Sequence, residues 1–380
     1  GAGPLAGRSI LHKVGSQLLV SDFNYELPGE LIAQQPPAER SGARMLTLNR
    51  ATGECHDRMF RDFPDMLNDG DLLVLNDSRV IPARLFARRE KSHGRTPKEI
   101  GKSPTGRIQI FLTEQKSEWE WNALVRPGRK VLTGETLIFE KPGGEEKLRA
   151  EVTTHGEFGE RTLRFEPVDD FFGAIESIGH IPLPPYIHRE DADTDRERYQ
   201  TVFAHQRGSV AAPTAGLHFT PEILQRVRDR GIEIVEVTLD VGLGTFEPVR
   251  TERLEDHKIH AETYEVPQAT IAAIERAQRE NRPVLAIGTT VVRTLEDAAE
   301  KAAQQGSTPR SGRAEATIFL YPGKPLRVVN QLLTNFHLPQ SSLLALVATL
   351  TGRENILRAY EHAVQAEYRF YSYGDCMLIR

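Results

Sequence analysis

The chain has 380 residues, enough for two domains and at least one sizeable core. Hydrophobic residues at 39% and charged residues at 27% exclude a disordered or membrane-like chain, and the longest apolar candidate, Leu343 to Leu350, is short and contains Thr349. Cys55 and Cys376, outside any CxxC spacing, exclude a disulfide framework and a thiolate-held iron–sulfur cluster and suit a reducing cytosol.

In chain order, residues 1–19 show no periodic pattern and read as a loose extension outside the fold. Residues 20–82 and 173–380 read as one α/β domain, interrupted by a β-rich insertion over residues 83–172. The insertion opens on a basic run: Arg84, Arg88, Arg89, Lys91, Arg95, Lys98, Lys102 and Arg107, opposed only by Glu90 and Glu99. With a net charge of −5 for the whole chain, such a run is either a solvated loop or a local nucleic-acid footprint. Short β-prone runs follow at Arg107 to Leu112, Glu120 to Val125, Thr136 to Phe139, Leu148 to Val152 and Arg161 to Phe165. Their spacing predicts a small barrel or sandwich.

Gly179 to Tyr186, rich in proline, reads as a hinge or a linker. Beyond it helix and strand alternate. Thr220-Pro221-Glu222 starts a helix that Gly231 stops, and Ile232 to Val241 alternates as a half-buried strand does. Pro267 to Glu280 predicts a helix, Pro283 to Ile287 a buried strand, and Val291 onward another helix. Strands at Ala316 to Tyr321 and Arg369 to Leu378 flank helices at Ser341 to Leu350 and Glu354 to Glu367. This alternation is that of an α/β domain.

Six segments could carry chemistry. Ala211 to Phe219 is a small-residue loop in which Thr214 and His218 offer a hydroxyl and a proton-transfer group, and Gly216 allows close backbone approach; a capped turn with a satisfied histidine would look the same. Asp240 to Phe246, with Gly242, Gly244 and Thr245, is a glycine turn at a strand's carboxyl end but a poor dinucleotide fingerprint. Glu255 to Glu262 contains HxxHxE. On a strand His257 and His260 would face opposite ways, so a polar rim or plain surface charge is favoured over a metal. Gly288-Thr289-Thr290, with Arg293 a turn later, places amides and hydroxyls at a positive helix end, suited to a carboxylate or to ordinary capping. Asn335 to Pro339, with His337, and Tyr371 to Asp375, with Tyr373, set polar groups among aromatic rings, as a purine site or a packed core would.

Taken together these segments resemble the S-adenosylmethionine:tRNA ribosyltransferase-isomerase family. The resemblance runs from Asp22 to Ile379 through Phe23 to Pro28, Asn76 to Arg84, Gly179 to Tyr186, Tyr199 to Phe203, and the 211–219, 240–246, 288–290, 335–339 and 372–375 segments in order. The sequence departs at Ser78, where the family commonly has Thr, and at Cys376, where Ala is common. Thr105 to Gln109 follows the insertion's glycine-rich pattern loosely, and the stretch before it is longer than usual.

The resemblance implies an open α/β-barrel main domain with an inserted small β-barrel. It implies transfer and isomerisation of the ribosyl group of S-adenosylmethionine onto 7-aminomethyl-7-deazaguanine at the wobble position of tRNA, releasing adenine and methionine and giving epoxyqueuosine. S-adenosylmethionine is then a substrate, and no metal or bound cofactor is implied. The sulfonium acidifies the adjacent 5′ protons, which calls for a base near neutrality and a proton for the departing adenine. His218 is the expected base and Asp240 or Asp375 the adenine-side partner. Thr289, Thr290 and Arg293 are expected at the methionine carboxylate, with Thr214, Gly216, Gly242, Gly244, Thr245, His337 and Tyr373 lining the substrate. Arg79, Arg84, Arg88 and Arg89 are expected at tRNA phosphates. A cytoplasmic monomer completes the expectation. The rival readings are a small-molecule S-adenosylmethionine-dependent transferase and a non-catalytic RNA-binding module.

Overall fold

The computed structural model describes residues 17–90 and 106–380, so half of the basic run, Lys91, Arg95, Lys98 and Lys102, lies outside the described residues. Leu18 and Leu19, expected outside the fold, are tied to it, and residues 1–16 of the expected extension lie outside the described residues. Val20 N–H donates to the Glu252 carbonyl at 2.9 Å, Leu254 N–H donates to Leu18 at 3.1 Å, and Leu19 forms a bridge to Arg253.

In chain order the strands are β1 (Arg44–Leu48), β2 (Cys55–Met59), β3 (Leu72–Asn76) and β4 (Ser78–Val80), followed by six that make a closed barrel. These six are β5 (Arg84–Arg89), β6 (Ile108–Gln115), β7 (Glu120–Arg126), β8 (Thr136–Glu140), β9 (Glu146–His155) and β10 (Glu160–Phe165). Then come β11 (Gln206–Ser209), β12 (Glu233–Leu239), β13 (Glu262–Val266), β14 (Val284–Ile287), β15 (Gly312–Ala316), β16 (Gln331–Asn335) and β17 (Cys376–Ile379). The main sheet has nine strands in the order β15-β13-β12-β3-β14-β16-β17-β1-β2. Its centre, β12-β3-β14-β16, is parallel throughout.

β3 shows why the centre is not an alternating pattern. All five of its residues are buried; Leu72 and Val74 enter one core, Leu73 and Leu75 the other. A parallel sheet covered on both faces needs apolar side chains on both. The first α-helices are short: α1 (Phe63–Met66), α2 (Phe171–Ile178) and α3 (Asp193–Arg198). The others are α4 (Pro221–Asp229), α5 (Gln268–Arg279), α6 (Thr289–Gln304), α7 (Ser342–Thr351) and α8 (Arg353–Gln365). Helices α5 to α8 cover one face, while α1 and α4 cover the other. Thr220 caps α4 by accepting from Ile223 N–H at 3.2 Å, and Ser341 caps α7 by accepting from Leu344 N–H at 3.2 Å.

Two expected strands are displaced. The one placed at 316–321 lies at Gly312–Ala316, because Asp297 Oδ1 accepts from Thr317 and Ile318 N–H at 2.9 and 3.1 Å and draws that backbone off the ladder. The one placed at 369–378 shrinks to Cys376–Ile379. Asp375 closes a turn ahead of it, accepting from Arg44 N–H and Arg369 N–H, each at 2.8 Å.

The barrel packs Leu85, Ile110, Trp121, Phe139 and Leu163 inside, and α2 seals it with Phe171 and Ile175. The chain leaves the main domain at Arg84 and returns at His180. These two residues exchange both backbone hydrogen bonds, at 3.2 and 2.8 Å, so exit and return are stitched together. Gly179 lies at this crossing, where a Cβ would sit 2.0 Å from the Pro82 carbonyl oxygen. Gly179→Ala is therefore expected to cost about 2–3 kcal/mol, read by urea unfolding.

Candidate active site at the carboxyl edge of the parallel strands

Open α/β sheets bind ligands beyond the carboxyl ends of their strands. Here β3 ends at Asn76, β12 runs into Asp240, β14 into Gly288 and β16 into Asn335. Between these ends lies a cavity of about 70 Å³. Its walls are aromatic on one side, with Tyr186, Phe246 and Tyr371, and polar on the other, with Thr214, Thr289, Thr290, Asn335 and His337. Tyr186 and Tyr371 meet at 4.6 Å between centroids, Tyr186 and Phe246 at 5.9 Å. Two outer clefts of about 480 Å³ each open towards the barrel. The loop from Val241 to Glu247 contributes to all three spaces and separates them.

The amino end of α6 faces the inner cavity. Gly288 occupies its cap with φ +99° and no capping side chain, which leaves first-turn N–H groups of a 16-residue helix directed at the space. Thr290 Oγ1 accepts from Asn76 Nδ2 at 3.1 Å, which fixes its rotamer. Arg293, expected beside them, turns away. Its guanidinium pairs with Glu262 and donates to the carbonyls of His260 and Ala316 at 3.2 and 3.1 Å. Glu262 Oε1 in turn accepts from Gly242 N–H at 2.9 Å and Thr245 Oγ1 at 3.2 Å. The pair thus anchors the dividing loop. Both partners are buried, so Glu262→Ala, which leaves Arg293 uncompensated, is expected to cost about 3–5 kcal/mol in urea unfolding and to free the loop.

His218 does not line the inner cavity. It is buried behind Asn335, with Nε2 2.7 Å from Asn335 Oδ1 and its ring 5.4 Å from that of Phe60. Asn335 Nδ2 donates to the Tyr371 and Ser372 carbonyls at 2.8 and 3.2 Å, so Oδ1 is the acceptor and His218 Nε2 carries the proton. Burial pushes the imidazole below its ordinary pKa, against the Asn335 hydrogen bond. His337 does reach the cavity. Its Nε2 lies 2.7 Å from Thr334 Oγ1, and burial pushes it down to about 3, which keeps it neutral. Tyr25 and Tyr360 clamp its backbone.

Asp240 stands on the floor of the outer cleft beside the barrel. Its Oδ1 is buried without a hydrogen-bond partner. Gly208 makes room for it: a Cβ there would sit 3.1 Å from both carboxylate oxygens. Burial pushes the carboxyl up to about 6, eased by Arg313 and reinforced by Asp77 and Glu262. Asp375 is instead the turn clamp already described. Tyr373 donates to Asp195 Oδ1 at 2.7 Å and, with His218 and Arg40, lines a separate small crevice. Gly216 and Gly244 serve packing, since a Cβ at either would strike Phe203 at 2.8 Å or the His260 ring at 2.5 Å.

The HxxHxE segment is not a strand before Glu262. His257 packs on Phe319 and His260 pairs with Glu247 at 2.8 Å. Among the described residues the histidine–carboxylate grouping is Asp77, His205 and Glu236. There Asp77 faces His205 Nε2 at 3.1 Å, and the group lines neither the cavity nor the clefts. The four arginines expected at phosphates all have carboxylate partners: Arg79 with Glu176 at 3.9 Å, Arg84 with Asp191 at 2.6 Å, Arg88 with Glu140 at 2.7 Å, Arg89 with Glu135 at 3.4 Å. Tyr186, Phe246, Tyr371 and Asn335 were not singled out in the sequence as site residues, although each sits in or beside a segment that was.

The fold and this edge define an α/β-sheet enzyme with a ring-lined cavity at its strand ends and an inserted barrel across the mouth. A family described as queuosine biosynthesis protein matches residues 20–379. The S-adenosylmethionine:tRNA ribosyltransferase-isomerase of Solibacter usitatus is 50% identical over 366 residues, covering 95% of this chain and 99% of its own. That of Trichlorobacter lovleyi is 45% identical over 364 residues, covering 95% and 100%. The crystal structure of the S-adenosylmethionine tRNA ribosyltransferase of Thermotoga maritima superposes with a TM-score of 0.51 at 34% identity, covering 95% of this chain and 100% of that one. The chain belongs to the S-adenosylmethionine:tRNA ribosyltransferase-isomerase family.

Proposed function

We propose that the protein transfers and isomerises the ribosyl group of S-adenosylmethionine onto 7-aminomethyl-7-deazaguanine in tRNA, releasing adenine and methionine and forming epoxyqueuosine. The observation that carries this reading is the junction of two unlike spaces: a ring-walled cavity against a helix amino end, and beside it a polar cleft whose floor holds an unpartnered carboxyl. Tyr186, Phe246 and Tyr371 suit the adenine face. Thr289, Thr290 and the first turn of α6 suit the methionine carboxylate. Asn335 and His337 flank the ribose.

Asp240 takes the proton from the aminomethyl nitrogen as that nitrogen's lone pair forms the bond to the ribosyl carbon, a task for which a base with a pKa of about 6 fits. Over the whole reaction adenine leaves with the electron pair of the glycosidic bond and gains a proton, and methionine leaves with the electron pair of the carbon–sulfur bond. His218 acts through Asn335 as a positioning residue. The barrel, strands β5 to β10 with α2, is the unit that meets the RNA. S-adenosylmethionine enters as a substrate, with no metal or bound cofactor, and the protein acts as a cytoplasmic monomer. Among the described residues no helix is long and apolar enough to cross a membrane.

The test is product analysis with S-adenosylmethionine and tRNA carrying the aminomethyl base. Free adenine and methionine, with the ribosyl-derived mass gained on the tRNA nucleoside, are expected. S-adenosylhomocysteine would instead mark a methyltransferase, and unchanged ligands a binding module.

A further inference from the structure

The most exposed large apolar side chain among the described residues is Phe158, at 96%. It stands at the tip of the turn between β9 and β10 with φ +52°, in the left-handed region that a bulky side chain disfavours. Solvent gives this ring no compensation for either its exposure or its backbone. The turn is nevertheless built firmly. Arg161 is buried behind it and donates to the carbonyls of Gly128, Val131 and Glu160, at 2.6 to 3.1 Å, so one guanidinium ties this turn to the one after β7. Gly128 and Gly159 meet where the two turns touch.

The second turn carries cations. Arg126, Arg129 and Lys130 are exposed and have no carboxylate partner among the described residues, whereas Arg84, Arg88, Arg89, Arg149 and Arg164 of the same barrel are all paired. Glu157 and Glu160 beside Phe158 offset part of this charge, which puts the weight on the ring. The two turns border both outer clefts: Arg126 lines one with Phe246, and Gly156 and Glu160 line the other with Asp240.

We propose that Phe158 stacks on an unpaired RNA base while Arg126, Arg129 and Lys130 hold neighbouring phosphates, so that the two turns present the substrate loop to the cleft. This deepens the proposed function and rests on it. Base-on-ring stacking tolerates any base, and a ring flanked by cations is how single strands are gripped.

The experiment is tRNA titration in turnover and in direct binding, with Phe158→Gly, Phe158→Tyr and the triple alanine variant of the three cations. Phe158→Gly is expected to raise the KM and Kd for tRNA roughly tenfold or more, with kcat at saturating tRNA retained. Its Tm should rise, because glycine adopts the left-handed backbone freely. Phe158→Tyr should restore binding. The triple variant should flatten the slope of log Kd against log salt by about 2, or roughly 0.7 per phosphate. A wild-type Kd for Phe158→Gly would overturn the proposal while leaving the reaction untouched. A wild-type enzyme that releases no adenine would sink the reaction instead, and the binding arm would still decide the role of Phe158.

Discussion

Asp240→Asn is expected to lower kcat by about two to four orders of magnitude, the usual weight of a general base, and to make the folded protein more stable at pH 7. Both effects come from one arrangement. The carboxyl is buried beside Gly208 with an oxygen that nothing satisfies, and its pKa is pushed from 3.8 to about 6. As a base it must be ionised, so wild-type activity should rise with pH through about 6. An amide has no such limb, and the residual activity of Asp240→Asn should lack it.

The stability consequence has the opposite slope. Between pH 3.8 and about 6 the unfolded chain is ionised while the folded one keeps its proton. Folding then takes up a proton, and stability falls as pH rises across that window, by about 3 kcal/mol at most. The amide removes this loss, so the variant's gain should appear above pH 6 and vanish below pH 4, measured by urea unfolding at each pH. A variant both inactive and less stable at pH 7 would mean that the carboxylate is a structural acceptor and not a base held ready.

How far the site could be read from the sequence depended on how local each cause was. Helices α4 to α8 announce themselves through Thr220-Pro221, Ser341 and sustained apolar faces, and the observed bounds lie close to the expected ones. Five of the six barrel strands were equally legible; the sixth, β5 (Arg84–Arg89), was hidden in what reads as a basic loop, because its cations mask the alternation of buried Leu85 and Ala87. The place of Asp240 at a strand's carboxyl end, before a glycine turn, was legible for a local reason too. Arg293 was misplaced because its carboxylate, Glu262, comes from a strand 31 residues away. The carboxylate partners of Arg79, Arg84, Arg88 and Arg89 were hidden for the same reason: a run of cations says nothing about Glu176, Asp191, Glu140 and Glu135, which other segments bring to them. Of the cavity's lining, Thr214, Thr289, Thr290 and His337 were named; Phe246, Asn335 and Tyr371 lie one or two residues from Thr245, His337 and Tyr373, and Tyr186 closes a segment that reads only as a hinge or linker. Inside a turn the sequence does not say which side chain points inward; Tyr371, at φ +72°, is aimed by a backbone that no propensity predicts.

The sharpest case is His218, which as a sequence feature looked like the base and in the fold stands one residue behind the cavity. If it acts through Asn335, His218→Ala should remove three things together. The Asn335 amide loses the partner of its oxygen, the Phe60 ring loses a neighbour, and the Tyr371–Ser372 backbone that Asn335 holds is freed to shift. A stability cost of about 2–4 kcal/mol follows from a buried hydrogen bond and the cavity left behind. Because Tyr371 walls the cavity, the KM for S-adenosylmethionine should rise, with kcat reduced about ten- to a hundredfold, while the limb near pH 6 persists because it belongs to Asp240. His218→Gln, whose amide N–H reaches the same way, should recover part of the loss. Asn335→Ala should be worse than either, since it orphans the Tyr371 and Ser372 carbonyls as well as His218. Should a folded His218→Ala protein instead lose its pH 6 limb, or fall by four orders in kcat at unchanged KM, the imidazole itself handles the proton. The residue that positions and the residue that reacts would then exchange places.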